Sequence, residues 1–169
     1  MSEDERTRLV VPGDWDRVQG VLPSWWGGRD LRALLPRLFF HHFRATSFVV
    51  EHGGELAAFF VGFLCPTHDD EAYVHFVGVD PAHRGRGVAR SLYERFFGLA
   101  LADGRTVVRA VTAPGNAGSV EFHRRMGFEV VPGDGEIDGI PVWFDHDGPG
   151  EHRVRFELRI ATRRPAPEP

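Results

Sequence analysis

Val77-Gly78-Val79-Asp80-Pro81-Ala82-His83-Arg84-Gly85-Arg86-Gly87-Val88-Ala89 is the stretch on which the fold of this chain turns. It starts in an apolar run, Ala72 to Val79, that reads as a strand and stops at Asp80-Pro81. Gly85-Arg86-Gly87 then leads into a helix reaching about Asp103, with Gly104 as its stop. A glycine-rich turn that opens a helix aims unpaired backbone N–H groups, and the positive end of the helix dipole, at one point. Such a nest takes phosphate oxygens. Gly85 and Gly87 carry no Cβ, so a bulky anion can come close to the backbone. Arg84, Arg86, Arg90 and Arg95 stand against Glu94, a local +3 inside a chain of formal charge −4. That reversal of sign points to a polyanionic ligand. The plain alternative is an ordinary strand-to-helix turn with solvated arginines, and the spacing fits neither a dinucleotide fingerprint nor a Walker loop.

Working outward, the segment before this stretch reads as a short strand at Arg8 to Val11. A helix follows, capped by Asp14 and running toward Val21, and a second runs from about Asp30 to Phe43. Pro36 inside that second helix allows two shorter pieces. Ser47 to Glu51 and Glu55 to Cys65 flank His52-Gly53-Gly54 and predict a hairpin, its second strand apolar on both faces. Val88, Leu92, Phe96 and Leu99 predict the buried stripe of the central helix. Beyond it come a strand at Thr106 to Thr112, a helix at Ala117 to Met126 and a strand at Phe128 to Val131. In Arg153 to Ile160, apolar Val154, Phe156, Leu158 and Ile160 alternate with charged residues, the pattern of a half-buried strand. The order predicts an α/β fold: a mixed, mostly antiparallel sheet of about seven strands flanked by about four helices. We expect a single domain over 1–162 and a disordered Pro-rich tail over 163–169.

A second motif lies about thirty residues after the first. Asn116, Ser119, Phe122, His123, Gly127 and Phe128 fall on an Asn-x-x-(Ala/Ser)-x-x-φ-(Tyr)-x-x-x-Gly-Phe pattern, and Asn116 is the only asparagine in the chain. Together with Arg84-Gly85-Arg86-Gly87-Val88-Ala89, which resembles a (Gln/Arg)-x-x-Gly-x-(Gly/Ala) signature, it is similar to the GNAT superfamily of N-acetyltransferases. The resemblance covers Ala72 to Val131, with a compatible element order from Arg8 to Ile160. It implies a slot where two parallel strands splay after a bulge near Gly78, and acetyl-CoA as cofactor. Backbone groups of Val77 and Val79 would pair with the pantetheine arm, and the Val77 N–H would stabilise the oxyanion of a tetrahedral intermediate. Residues Arg84 to Ala89 would hold the pyrophosphate, with Asn116 and Ser119 at the cofactor arm. His123 stands in the slot of a tyrosine that protonates the departing thiolate. His75, at an offset resembling that of the arylalkylamine acetyltransferases, is the candidate base, with Glu71 or a water chain as alternatives.

Composition limits the function classes. The chain has 169 residues, 20 basic and 24 acidic, and every basic residue is arginine. Without lysine there is no Schiff-base or Walker chemistry, and no side-chain amine for self-acetylation. The acidic total argues against nucleic-acid and membrane-surface partners, an Arg-Gly RNA-binding module included. An acidic N-terminus, the lack of a long apolar run and the single Cys65 predict a cytoplasmic protein. The nine histidines lack metal-ligand spacing, so no metal is expected.

The aromatic residues around Trp25-Trp26-Gly27-Gly28 and Phe39-Phe40 read as core or lid packing. The resemblance, in which the segment after the first helix lines the acceptor pocket, implies Trp26, Arg29 and Phe43 as candidate acceptor contacts. The acidic residues between Pro132 and His152 read as a solvated hairpin, with an acidic wall for a cationic amine as the alternative. The expectation is direct acetyl transfer from acetyl-CoA to a primary amine, the acceptor a small molecule. A non-catalytic acyl-CoA-binding regulatory domain and a protein N-terminal acetyltransferase are the alternatives. Oligomeric state, a homodimer included, is left open.

Overall fold

Two glycines decide the first long-range pairing. Gly53 and Gly54 hold φ of 58° and 87°, the pair of positive values a two-residue turn of right-handed twist requires. They join β2 (Phe48–His52) to β3 (Glu55–Leu64), with His52 opposite Glu55. The computed structural model describes residues 5–160, and the predicted tail at 163–169 lies outside them. Its strands run β1-β2-β3-β4-β5-β9-β6 in one seven-stranded sheet, and β7-β8 form a separate pair. This is the mixed α/β architecture expected. The chain divides into two compact units, 1–64 with 74–99 and 65–73 with 100–169, and β4 (Glu71–Val79) passes from the second into the first.

In the first unit, β1 (Glu5–Leu9) pairs antiparallel with β2, Leu9 opposite Phe48. Helix α1 (Asp14–Trp25) buries Val18, Leu22 and Trp25, spaced four and three residues apart, beside Val49 and Phe59. This stripe carries α1 beyond Val21 and through Pro23 to Trp25, where Trp25-Trp26-Gly27-Gly28 breaks it as the sequence predicts. The cap differs too. Gly13 is the N-cap, and Asp14 is 1% exposed. Its carboxylate accepts the Val11 N–H at 2.8 Å and a two-pronged bond from Arg8 at 2.7 and 2.8 Å. Burial pushes the Asp14 carboxyl up, but Arg8, the Val11 N–H and Arg17 more than reverse this and hold it below the usual range. Glu51 closes the network through Arg8 and Arg17, at 2.8 and 2.7 Å.

The helix expected from Asp30 to Phe43 is broken at Pro36 into a 3₁₀ turn, Arg32–Leu34, and a short α2, Leu38–His42. Helix α3 spans Val88–Ala102. Val88, Leu92 and Phe96 are buried as predicted, but Leu99 is 38% exposed; Tyr93, Phe97 and Ala100 are buried instead. The stripe follows steps of four residues from 88 to 100 and widens toward 93 and 97.

In the second unit, β9 (Val154–Arg159) lies between β5 (Val107–Thr112) and β6 (Glu129–Val130), antiparallel to both. Val154, Phe156, Leu158 and Ile160 are buried, as the alternation predicts. Helix α4 (Ala117–Arg125) precedes β6. The 132–152 connection contains the hairpin of β7 (Gly135–Ile137) and β8 (Ile140–Val142).

Candidate functional site

The glycine-rich turn is built from the end of β4. The Asp80 N–H donates to the Ala57 carbonyl at 2.9 Å, tying the strand end to β3, and the Asp80 carboxylate accepts the Ala82 N–H at 2.8 Å. Gly85 and Gly87 then take φ of 75° and 82°, a region that disfavours any side chain. A Cβ at either would meet nothing within 4 Å, so the backbone there faces open space. The first bond into α3 runs from the Ser91 N–H to the Gly87 carbonyl at 3.0 Å. Among the described residues no protein acceptor faces the N–H groups of Gly85 to Ala89. Arg86 is exposed beside them. Free donors, a helix N-terminus and an unhindered approach fit a diphosphate.

Arg84 is placed differently from its neighbours. Its Nε donates to the Val79 carbonyl at 3.1 Å and its guanidinium to the Trp25 carbonyl at 2.7 Å. Trp25 ends α1, which has no basic residue in its last turn, so Arg84 supplies the cation that the carbonyl end of a helix favours. The Val79 carbonyl, expected to pair with a ligand arm, is thus engaged by Arg84. Gly78 has a packing reason. A Cβ there would lie 2.4 Å from Phe59 and 2.7 Å from Trp26.

On the same strand, His75 donates Nε2–H to the Leu34 carbonyl at 2.7 Å, since a carbonyl can only accept. Its ring stacks on Phe39 with centroids 4.1 Å apart. Trp26 meets Phe76 edge-on at 5.3 Å, and Phe43 lies 5.4 Å from Phe39. Arg29 is exposed, and its Nε donates to the Trp26 carbonyl at 3.4 Å.

In the second unit Asn116 caps α4, its side-chain oxygen accepting the Ser119 N–H at 3.1 Å. His123 is 6% exposed and stacks on Phe156 at 4.3 Å. Its Nδ1 lies 2.8 Å from the Ser119 carbonyl and 3.3 Å from the Ser119 hydroxyl, so Nδ1 carries the ring hydrogen and donates it to the carbonyl. Burial pushes the imidazole down to about 4, against the raising effect of the Ser119 bond. At neutral pH the ring is uncharged. Glu71, the alternative base, is held by Arg109 at 2.7 Å, and Arg109 also binds Glu157 at 2.7 Å. The Arg84–Trp25 and His75–Leu34 bonds join residues 59 and 41 positions apart, and no local pattern signals them.

Residues 15–128 match the model of the acetyltransferase (GNAT) family. The L-2,4-diaminobutyric acid acetyltransferase of Vibrio parahaemolyticus is 34% identical over 125 residues, covering 72% of this chain and 66% of that protein. Its namesake from Nocardia farcinica is 30% identical over 128 residues, covering 73% and 63%. The chain therefore spans just under two thirds of these relatives. Among solved structures, Ard1 from Thermoplasma volcanium superposes with a TM-score of 0.73 at 18% identity, over 92% of this chain and 97% of that one. The diaminobutyrate acetyltransferase of Paenibacillus lautus, solved with L-2,4-diaminobutyric acid and coenzyme A, gives 0.70 at 20% identity, over 96% and 98%. At these identities the structural likeness is one of fold.

Proposed function

Because the chain belongs to the GNAT acetyltransferase family, we propose that it is an N-acetyltransferase moving acetyl from acetyl-CoA to the primary amine of a small molecule, with 1–162 working as one domain. The observation that carries this reading is the row of free N–H groups from Gly85 to Ala89, reached over two open glycines. These donors and Arg86 would hold the pyrophosphate. Acetyl-CoA supplies an activated acyl group: the amine nitrogen bonds to the thioester carbon, the C–S bond breaks, and amide and thiol are the products. The Val77 N–H, eight residues before the nest, would donate to the carbonyl oxygen as it gains negative charge. Holding the cofactor by its phosphates fixes the acyl carbon for attack, which supplies much of the rate.

His75 is the proposed base. Its Nε2–H bond to Leu34 sets the tautomer, so Nδ1 is the nitrogen that takes a proton from the ammonium. A His75→Ala variant that keeps the acid limb of the kcat/KM pH profile would remove that role. His123 we propose as an anchor of α4 rather than the thiol's proton donor, because its one ring hydrogen is committed to Ser119. Asn116 orders the start of the same helix. A cytoplasmic location accompanies a cofactor of central metabolism and a single cysteine.

The experiment is acetyl-CoA-dependent thiol release over a panel of small amines. Arg86→Ala should raise the KM for acetyl-CoA roughly tenfold, the loss of about 1.4 kcal/mol of charge-assisted bonding. Acetyl-CoA binding without turnover on any amine would instead identify a regulatory acyl-CoA-binding domain.

A further inference from the structure

We infer that the acceptor is a primary amine carried on an aromatic or bulky apolar group, with no second positive charge. The inference rests on the acetyltransferase reading above. It comes from an unbroken run of rings within the first unit. Phe63 lies 5.0 Å from Phe43, Phe43 5.4 Å from Phe39, Phe39 4.1 Å from His75, His75 6.2 Å from Phe76, and Phe76 5.3 Å from Trp26. Phe59 backs the run fully buried, 5.8 Å from Phe76. The other rings are half-buried and reach the surface. Leu34 and Leu38, 47% and 46% exposed, extend the apolar surface on the Phe39 side.

The run crosses β4 at His75 and Phe76, immediately before Val77, where the acyl oxygen is proposed to sit. An amine attacking there rests its substituent on these rings. Charge narrows the class further. From Leu31 to Val50, from Leu56 to Leu64 and from Ala72 to Val79 there is no aspartate or glutamate. Of the arginines in and beside this stretch, Arg32 and Arg37 already pair with Asp30 and Asp16, at 2.8 and 3.0 Å, while Arg29 and Arg44 are exposed and meet no carboxylate among the described residues. A second ammonium set against this surface would lose water and gain no anionic partner. Open ring faces can hold a cation. Here the Phe39–His75 and Phe59–Phe76 pairs lie 14° and 23° from parallel, so each of these rings turns one face onto its partner. An apolar substituent incurs no such desolvation cost and gains from each ring it covers.

The test is thiol release by the full chain with acetyl-CoA and four amines: 2-phenylethylamine, L-phenylalanine, L-2,4-diaminobutyric acid and spermidine. We expect kcat/KM for a phenyl-bearing amine to exceed that for both multiply aminated compounds at least tenfold. Phe43→Leu, at the rim, and Phe76→Leu, beside Val77, should each raise the KM for that amine severalfold and leave the KM for acetyl-CoA unchanged. Faster turnover of diaminobutyric acid or spermidine, or unaltered selectivity in both variants, overturns this inference and leaves the acetyltransferase reading standing. No thiol release with any of the four, while calorimetry shows acetyl-CoA bound, removes both.

Discussion

A single methyl group at position 78 is enough to test the packing behind the proposed site. Gly78 lies where Phe59 and Trp26 close over β4, and the added carbon of Gly78→Ala would sit 2.4 Å from a ring atom of a fully buried phenylalanine. Buried rings in a filled core cannot yield that far without shifting backbone, so we expect a loss of about 1–3 kcal/mol, read as a lower urea midpoint. An unchanged midpoint would mean the rings are looser than their positions imply. His123 makes a different prediction. Its native pKa, about 4, lies below the value of 6.5 for a free imidazole. The unfolded chain therefore takes up the proton first, and stability falls as pH drops from 6.5 toward 4. Between pH 7 and pH 5 this one group should remove about 2 kcal/mol. His123→Phe should show a drop smaller by that amount, with kcat at pH 7 lowered less than about threefold. A loss of about 10²-fold in kcat would return His123 to the role of acid.

At the scale of elements, the link between β4, α1 and α3 rests on Arg84. One guanidinium holds the last carbonyl of α1 and the last carbonyl of β4, one residue before the glycine turn. Arg84→Gln keeps a donor but cannot span both carbonyls. It should raise the KM for the amine more than the KM for acetyl-CoA, because the tryptophan turn loosens while the N–H groups of Gly85 to Ala89 stay. The opposite split would make Arg84 a direct phosphate ligand. Elements were legible where one local rule settled them: the β2–β3 hairpin from two glycines, β9 from strict alternation, and the start of α3 from Gly-Arg-Gly. They were illegible where distant contacts decided. Asp14 looks like a cap by sequence, yet it serves Arg8, Arg17 and the Val11 N–H from a buried position. Leucines at helical spacing between Asp30 and Phe43 suggest one helix, and Pro36 divides it.

At the scale of the whole molecule, charge is unevenly shared. The formal total is −4, but the start of α3 is locally basic. Attraction of a polyanionic cofactor to that start is screened by salt, so the KM for acetyl-CoA should rise roughly threefold between 0.05 and 0.3 M salt. A KM insensitive to salt would argue against charge-guided binding. The family and the open glycine turn before α3 were readable from residues 77–128, because such a turn is a local backbone feature. The aromatic run was not, since its rings come from the ends of α1 and α2 and from β3 and β4, with Trp26 just past α1 and Phe43 just past α2, and meet only in the fold. The most direct test of the central claim, that cofactor held at Gly85–Ala89 passes its acetyl group straight to an amine, is an initial-rate study varying both substrates. Direct transfer gives reciprocal plots that intersect, the signature of a ternary complex. Parallel lines, the pattern of an acetylated enzyme intermediate, would contradict it.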